Sequence, residues 1–327
     1  MKKPLILTGW PIDEFEETNL GDLQAVFFFN FTWGKLPSPA KLAAHLGART
    51  PDHGPRQGDH WSDFASRWNL SKTKSLRDLS LAEFCQQYEI VELWFDTRPD
   101  AQLQLIWLLD YFHSYPETMA RLKLRLLTQD MIAVRPGGFG KWRPPLVDVT
   151  KQELVTASAA WKAYRAPTPE ACFGLLKKDL STLSLLRPVL LDLLAELPSV
   201  STGLGATEMR MLELIGRGFS LTNALFYLTS LRQTRVFGQS DIGYLLDGLA
   251  FGPTPAIMGL DEALRSRKYQ PREEAYRCSE LSLTKFGKSI LAHKEDFSRH
   301  NPIDRWWGGT RLTNDCLWRW DPVLTAP

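Results

Sequence analysis

Asp96 and Arg98 follow a short apolar run, Ile90 to Phe95, that has the length of a parallel strand. Open α/β sheets bind ligands just beyond the carboxyl ends of such strands. Thr8 and Gly9 close an earlier run, Leu5 to Thr8, and would share that edge. An acid placed there orients a hydroxyl or holds a metal. The competing reading is structural: Asp96 or Asp100 caps the helix that follows. A catalytic site needs several convergent groups, and a lone acid after a strand does not supply them.

Other constellations carry less. Gly137-Gly138-Phe139-Gly140-Lys141 offers backbone N–H groups and a lysine to an anion, but Arg143-Pro144-Pro145 prevents an immediate helix and the phosphate-loop spacing is missing. His45, His53 and His60 lie near Asp52 and Asp59, at spacings that fix no metal geometry, so they read as chance clustering. The four cysteines, Cys85, Cys172, Cys278 and Cys316, are far apart and read as reduced, mostly packed thiols. No G-x-S-x-G, H-E-x-x-H or G-x-G-x-x-G occurs, so no metal or cofactor is expected.

The elements that would position these residues come from periodicity. Leu5 to Thr8, Val26 to Phe31, Ile90 to Phe95 and Leu122 to Leu127 are strand-length apolar runs, and Ala101 to His113 between the last two has a helical apolar side. This predicts an α/β N-terminal domain, a parallel sheet with helices, over 1–149. Connecting helices are expected over 150–202, with Pro188 tolerated only in a first helical turn.

Residues 203–300 have the element order of a winged helix. Helices open at Ala206-Thr207-Glu208, Ser220-Leu221-Thr222 and Gln239-Ser240-Asp241, a strand is expected over Tyr276 to Leu283, and Thr284 caps a last helix. The second domain is therefore expected to be mainly helical and winged-helix-like. Its third helix, Gln239 to Leu249, carries Asp241 and Asp247 and no basic residue, which argues against reading bases in the major groove. Arg265, Arg267, Lys268 and Arg272 in the wing region are candidate contacts to phosphates or to a partner protein, set against Asp261, Glu262, Glu273 and Glu274. Charge over 203–300 is nearly balanced, with 13 basic and 11 acidic residues, and implies no strong nucleic-acid field. The tail, 301–327, holds four of the twelve tryptophans, Trp306, Trp307, Trp318 and Trp320. Its Asp304-Arg305-Trp306 and Gly308-Gly309 motif suits either a partner anchor or a segment folded back on the body.

Several of these stretches together resemble a bacterial family catalogued as domain of unknown function 1835, over most of the chain. They are Leu93-Trp94-Phe95-Asp96 with Gln102-Leu103-Gln104-Leu105, Tyr164-Arg165-Ala166-Pro167-Thr168-Pro169, Gly203-Leu204-Gly205-Ala206-Thr207-Glu208, Ile303 to Leu312, and Trp318-Arg319-Trp320-Asp321. The chain departs from the family's N-terminal polar signatures. Gly9 is followed by Trp10-Pro11 where Gly-Asp-Ser is usual, Phe31 stands where an aspartate is usual, and Asp96-Thr97-Arg98 is in place of an acid, His, acid run. The resemblance implies architecture more than mechanism.

Too short an apolar stretch at the start for a signal peptide, and no run of membrane-spanning length, lead to the expectation of a cytoplasmic protein without a membrane partner. The functional expectation is a binding or regulatory protein, non-catalytic or catalytically eroded, acting through its winged-helix-like module on a protein or nucleic acid. The alternative is an enzyme on a nucleotide-like or phosphorylated ligand at the strand edges.

Overall fold

The computed structural model describes residues 3–12, 15, 20–50, 58–66, 74–127, 144–228, 236–261 and 270–321. These fall into two units. The first comprises residues up to Phe31, Leu36–Lys162 and Asp179–Leu186, and the second comprises Thr32–Lys35, Ala163–Lys178 and Arg187 onward. The stretch read from sequence as connecting helices is thus divided between the units rather than standing apart from both.

The first unit is built on one sheet of six strands: β1 (Leu5–Thr8), β2 (Leu23–Val26), β3 (Ala65–Ser66), β4 (Val91–Trp94), β5 (Leu122–Arg125) and β6 (Leu146–Asp148). The order is β3-β2-β1-β4-β5-β6, with β2, β1, β4 and β5 parallel and the two edge strands antiparallel. Every residue of β1, β2 and β4 is buried, as expected of central strands covered on both faces.

The second strand lies earlier than its apolar run predicts. Phe27 still donates its N–H to the Thr8 carbonyl, but residues 27–31 leave the ladder. Their rings become core instead: Phe27, Phe29 and Phe31 pack edge-on against Trp107, and Phe31 also meets Trp161. Hydrophobicity alone does not separate a buried strand from a buried irregular segment.

Around the sheet are α1 (Pro39–Leu46), capped by the Ser38 hydroxyl, and α2 (Leu81–Cys85), opened by a Ser80–Glu83 capping box. The long α3 (Pro99–Phe112) is followed by the short α4 (Pro116–Met119). Eleven residues of α3 are buried, including Gln102 and Gln104, so it is a core helix rather than an amphipathic cover. α5 (Lys151–Tyr164) starts with Thr150 donating its N–H and its hydroxyl to the Glu153 carboxylate and buries Leu154, Ala157, Ala160 and Trp161 on one stripe.

In the second unit, α6 (Glu170–Leu175) precedes α7 (Leu186–Leu194), where Pro188 falls in the first turn, the place its missing N–H is harmless. Next come α8 (Ala206–Gly216), α9 (Thr222–Leu228), α10 (Gln239–Ala250), β7 (Ile257–Met258), α11 (Gln270–Arg277), β8 (Ser282–Leu283) and α12 (Lys285–Leu291). β7 and β8 pair antiparallel, and Leu221 bridges Glu280 beside them. The strand expected from Tyr276 is shorter than its alternation suggests, because Tyr276 and Arg277 finish α11. Tyr276 is buried there, with its hydroxyl donating to the Gly243 carbonyl. Thr284 caps α12 as expected, accepting from Gly287 N.

The tail forms a hairpin of β9 (Asp304–Trp307) and β10 (Thr310–Thr313). Trp307 donates its indole N–H to the Leu193 carbonyl at 2.6 Å, and Trp320 N donates to Pro198 O at 2.9 Å. The hairpin turn is glycine for two reasons. Gly308 has φ 54°, and a Cβ on Gly309 would collide with the Arg165 and Ala166 carbonyls. Gly309→Ala is therefore expected to lower stability by about 2–3 kcal/mol. Gly248→Ala, on an exposed stretch of α10 with open space at the Cβ position, should raise it by about 0.5–1 kcal/mol. Urea midpoints of the two variants, followed by tryptophan fluorescence, check both signs.

Candidate functional site

The strand order reverses at β1: the chain goes to β2 on one side, while β4 lies on the other. The carboxyl ends of β1 and β4 therefore flank the crevice where doubly wound sheets bind ligands. Thr8, Gly9, Asp96 and Arg98 all arrive at this edge, since Thr8 is in register with Trp94 and Gly9 packs by the Phe95 ring.

Their polar atoms are engaged internally. Thr8, wholly buried, donates its hydroxyl to the Trp10 carbonyl at 2.8 Å. The Asp96 carboxylate, 1% exposed, accepts the Arg98 backbone N–H at 3.1 Å and takes the Arg98 guanidinium through Nε and a terminal nitrogen at 3.0–3.1 Å. The same guanidinium lies 5.6 Å from the centroid of the Trp10 ring. Asp96 thus supports the entry into α3, although the N-cap position itself belongs to Arg98, which makes no side-chain cap bond.

Sequence reasoning missed the groups that fill the crevice. Gln104, 2% exposed, donates through Nε2 to the Phe29 carbonyl (2.7 Å) and to Asp100 (2.9 Å). Both partners are acceptors, which fixes the amide orientation and turns Oε1 the other way. That oxygen has no hydrogen-bond partner and stands 3.0 Å from where a Cβ on Gly9 would be. Asp100 also accepts the Phe31 N–H at 2.7 Å, and Gln102 donates to the Asp96 carbonyl at 2.6 Å. The available signal was two glutamines in an otherwise apolar helical run, since buried amides must find partners.

A second buried polar group lies one strand over. Glu92 on β4 accepts from the Trp94 indole (2.8 Å) and from Arg125 on β5 (2.6 Å), whose guanidinium also covers the Trp94 ring at 5.3 Å. Among the described residues no group of three or more His, Cys, Asp or Glu could hold a metal ion.

Of the three histidines, His60 is buried and bonded to the Gly47 carbonyl and the Ser62 hydroxyl, while His53 lies outside the described residues. His45, 5% exposed, sits among Phe27, Phe29 and Trp107 with neither ring nitrogen hydrogen-bonded. Burial drives its pKa down to about 4. The nearby backbone of Asp59 and Gly58 offsets part of that, as does Asp63, while His60 adds to it.

Arg265, Arg267 and Lys268 lie outside the described residues, as does Gly137 to Lys141, and so does the side chain of Arg272 on α11. In the C-terminal motif, Asp304 pairs with Arg311, which holds its carboxyl below the usual range. Arg305 bonds Glu208 at 2.9 Å, and Trp306 lies under the Lys35 ammonium at 5.4 Å. Gly308 and Gly309 make the turn described above. Each of these contacts is internal to the second unit.

Two outcomes follow. Asp96→Asn removes the charge that holds Arg98, and a cost of about 2 kcal/mol is expected, below the deeply buried case because Arg98 can turn toward solvent. Chemical denaturation of the purified variant measures it. His45 is neutral in the folded chain, with its pKa below the unfolded value. Its stabilising contribution is present above pH 6.5 and is lost as pH falls toward 4, by up to roughly 3 kcal/mol. His45→Leu should remove that part of the slope in urea midpoints between pH 7 and pH 4. No protein-family model matches the chain, and no curated protein matches it.

Proposed function

We propose that the chain works by binding a protein partner through a winged-helix-like second unit, and that its sheet edge performs no chemistry. The element order supports the module. α8, the bridged residue Leu221, α9, α10, β7 and β8 follow the helix, strand, helix, helix, strand, strand sequence of winged helices, with α11 interposed between the last two strands.

The observation that favours protein over nucleic acid is the surface of α10, the helix that would enter a major groove. Asp241 and Asp247 face inward, the first accepting from Gly238 N and the second near the Tyr276 hydroxyl. The exposed positions with described side chains are Ser240, Tyr244 and Gly248, one narrow stripe without a basic residue. Tyr244 is 38% exposed, and Trp33 stacks on it with ring planes 9° apart and centroids 5.8 Å apart. Phe237 closes the other side of Trp33. An aromatic, uncharged stripe suits a protein surface and offers no donor fork to base edges.

The absence of chemistry at the sheet edge is supported by how that edge is filled. Asp96 is committed to Arg98, and Gly9 abuts Gln104 and Phe95. Under the resemblance to the domain of unknown function 1835 family, Phe31 stands where an aspartate is usual, and this ring is fully buried against Trp107 and Trp161. A catalytically eroded member fits that replacement.

Fluorescence anisotropy of labelled random duplex DNA, at about 50 mM and about 200 mM salt, separates the readings. No binding at either salt is expected. Binding at low salt that weakens at high salt, and is lost when Arg265, Arg267 and Lys268 are changed to Ala, would overturn the protein-partner reading.

A further inference from the structure

At the carboxyl ends of β4 and β5, beside the filled crevice and sharing Phe95 and Gln102 with it, the first unit holds a cleft of about 310 Å³. That volume is at the lower end of the range for small-molecule sites. β4 and β5 are parallel neighbours, so the cleft opens on the carboxyl side of the sheet, one strand over from the switch point between β1 and β4. The walls are largely apolar, supplied by Phe95, Leu105, Leu124, Leu127 and the turn at Leu183.

Three polar side chains at this cleft have unused capacity. Among the described residues, none makes a hydrogen bond to the hydroxyl of Thr97 or of Ser184. Gln102 spends its amide nitrogen on the Asp96 and Phe95 carbonyls, which leaves Oε1 as an acceptor. One charged residue, Arg125, also lines the cleft. Its charge is met by Glu92, and its remaining terminal nitrogen donates to the Pro144 carbonyl at 2.7 Å. An anion entering this site would lose hydration without gaining an open cation, and the apolar walls make that loss costly.

We propose that this cleft binds a small uncharged molecule with an apolar body and one hydroxyl-like end. Such a group accepts from Thr97 or Ser184 and donates to Gln102 Oε1, while the body replaces water against the leucines and Phe95. All of the lining residues belong to the first unit, so the DNA experiment and the one below succeed or fail separately.

The test is calorimetric titration of the full chain with 1-octanol and, in a separate arm, with octanoate at pH 7. Saturable one-to-one binding of octanol is expected, with octanoate at least about tenfold weaker. Thr97→Val should weaken octanol binding about two- to tenfold, the range for one neutral hydrogen bond, without changing the melting temperature. Ser184→Trp places an indole at an exposed position on the cleft and should abolish binding. Leu126→Trp, at another exposed lining position, repeats the block should Ser184→Trp fail to fold by circular dichroism. No saturable heat with octanol, or undiminished binding in a folded blocking variant, overturns the site. Tighter binding of octanoate than of octanol overturns its uncharged character.

Discussion

α3 is buried almost all round, and the amide nitrogens and the Asp100 carboxylate it carries into the core must be matched there, although Gln104 Oε1 is not. That requirement organises the carboxyl edge of the sheet. Gln104 and Asp100 hold the Phe29 carbonyl and the Phe31 N–H, fixing the path of the chain as it leaves β2. Gln102 holds the Asp96 carbonyl, fixing the exit from β4. The three aromatic rings at 27, 29 and 31 then reach Trp107 on the same helix. A helix with leucine in place of these amides would leave backbone groups of two connections buried without partners, at about 1–3 kcal/mol for each unsatisfied group.

The same constraint explains why the switch-point crevice is not an open site. Once Gln104 is hooked to two acceptors, its remaining oxygen must face β1, and only a residue without a Cβ sits comfortably opposite. Gly9 meets that demand. The space for a ligand is displaced to the next pair of strands, where Glu92 and Arg125 neutralise each other and leave an apolar cleft. Filling one edge and vacating its neighbour are two results of one packing solution.

The second unit is held by its last residues. The Trp307 indole, the Arg305–Glu208 pair and Arg319, which bonds Asp296, Ser298 and the Ser199 carbonyl, tie the C-terminal segment to α7, α8 and the turns between them. Glu196 adds two hydrogen bonds from Thr207 at the start of α8. Tryptophan and arginine in such a tail serve packing before recognition, because each has both a large apolar body and donors that must be matched.

Composition and periodicity were enough to establish the alternation of strands and helices, the helical character after residue 150, and the caps at Thr150 and Thr284. Those features depend on neighbours within about four residues, where side-chain type and backbone preference act directly. The sequence also placed Thr8, Gly9, Asp96 and Arg98 at the ends of strands, because a strand's end is a local event. It did not say that Arg98 would turn back on Asp96, that Gln104 would close the crevice, or that residues 27–31 would leave the sheet. Nor did it indicate that α5 would begin in one unit and finish in the other, or that Tyr276 would end a helix. Apart from the Arg98–Asp96 contact, which spans two residues, those outcomes depend on partners far along the chain, such as Phe29 for Gln104 and Gly243 for Tyr276, or on which of two buried conformations packs better. The tertiary structure decides them, because unmatched polar groups and empty space in a core cost more than local preference can offset.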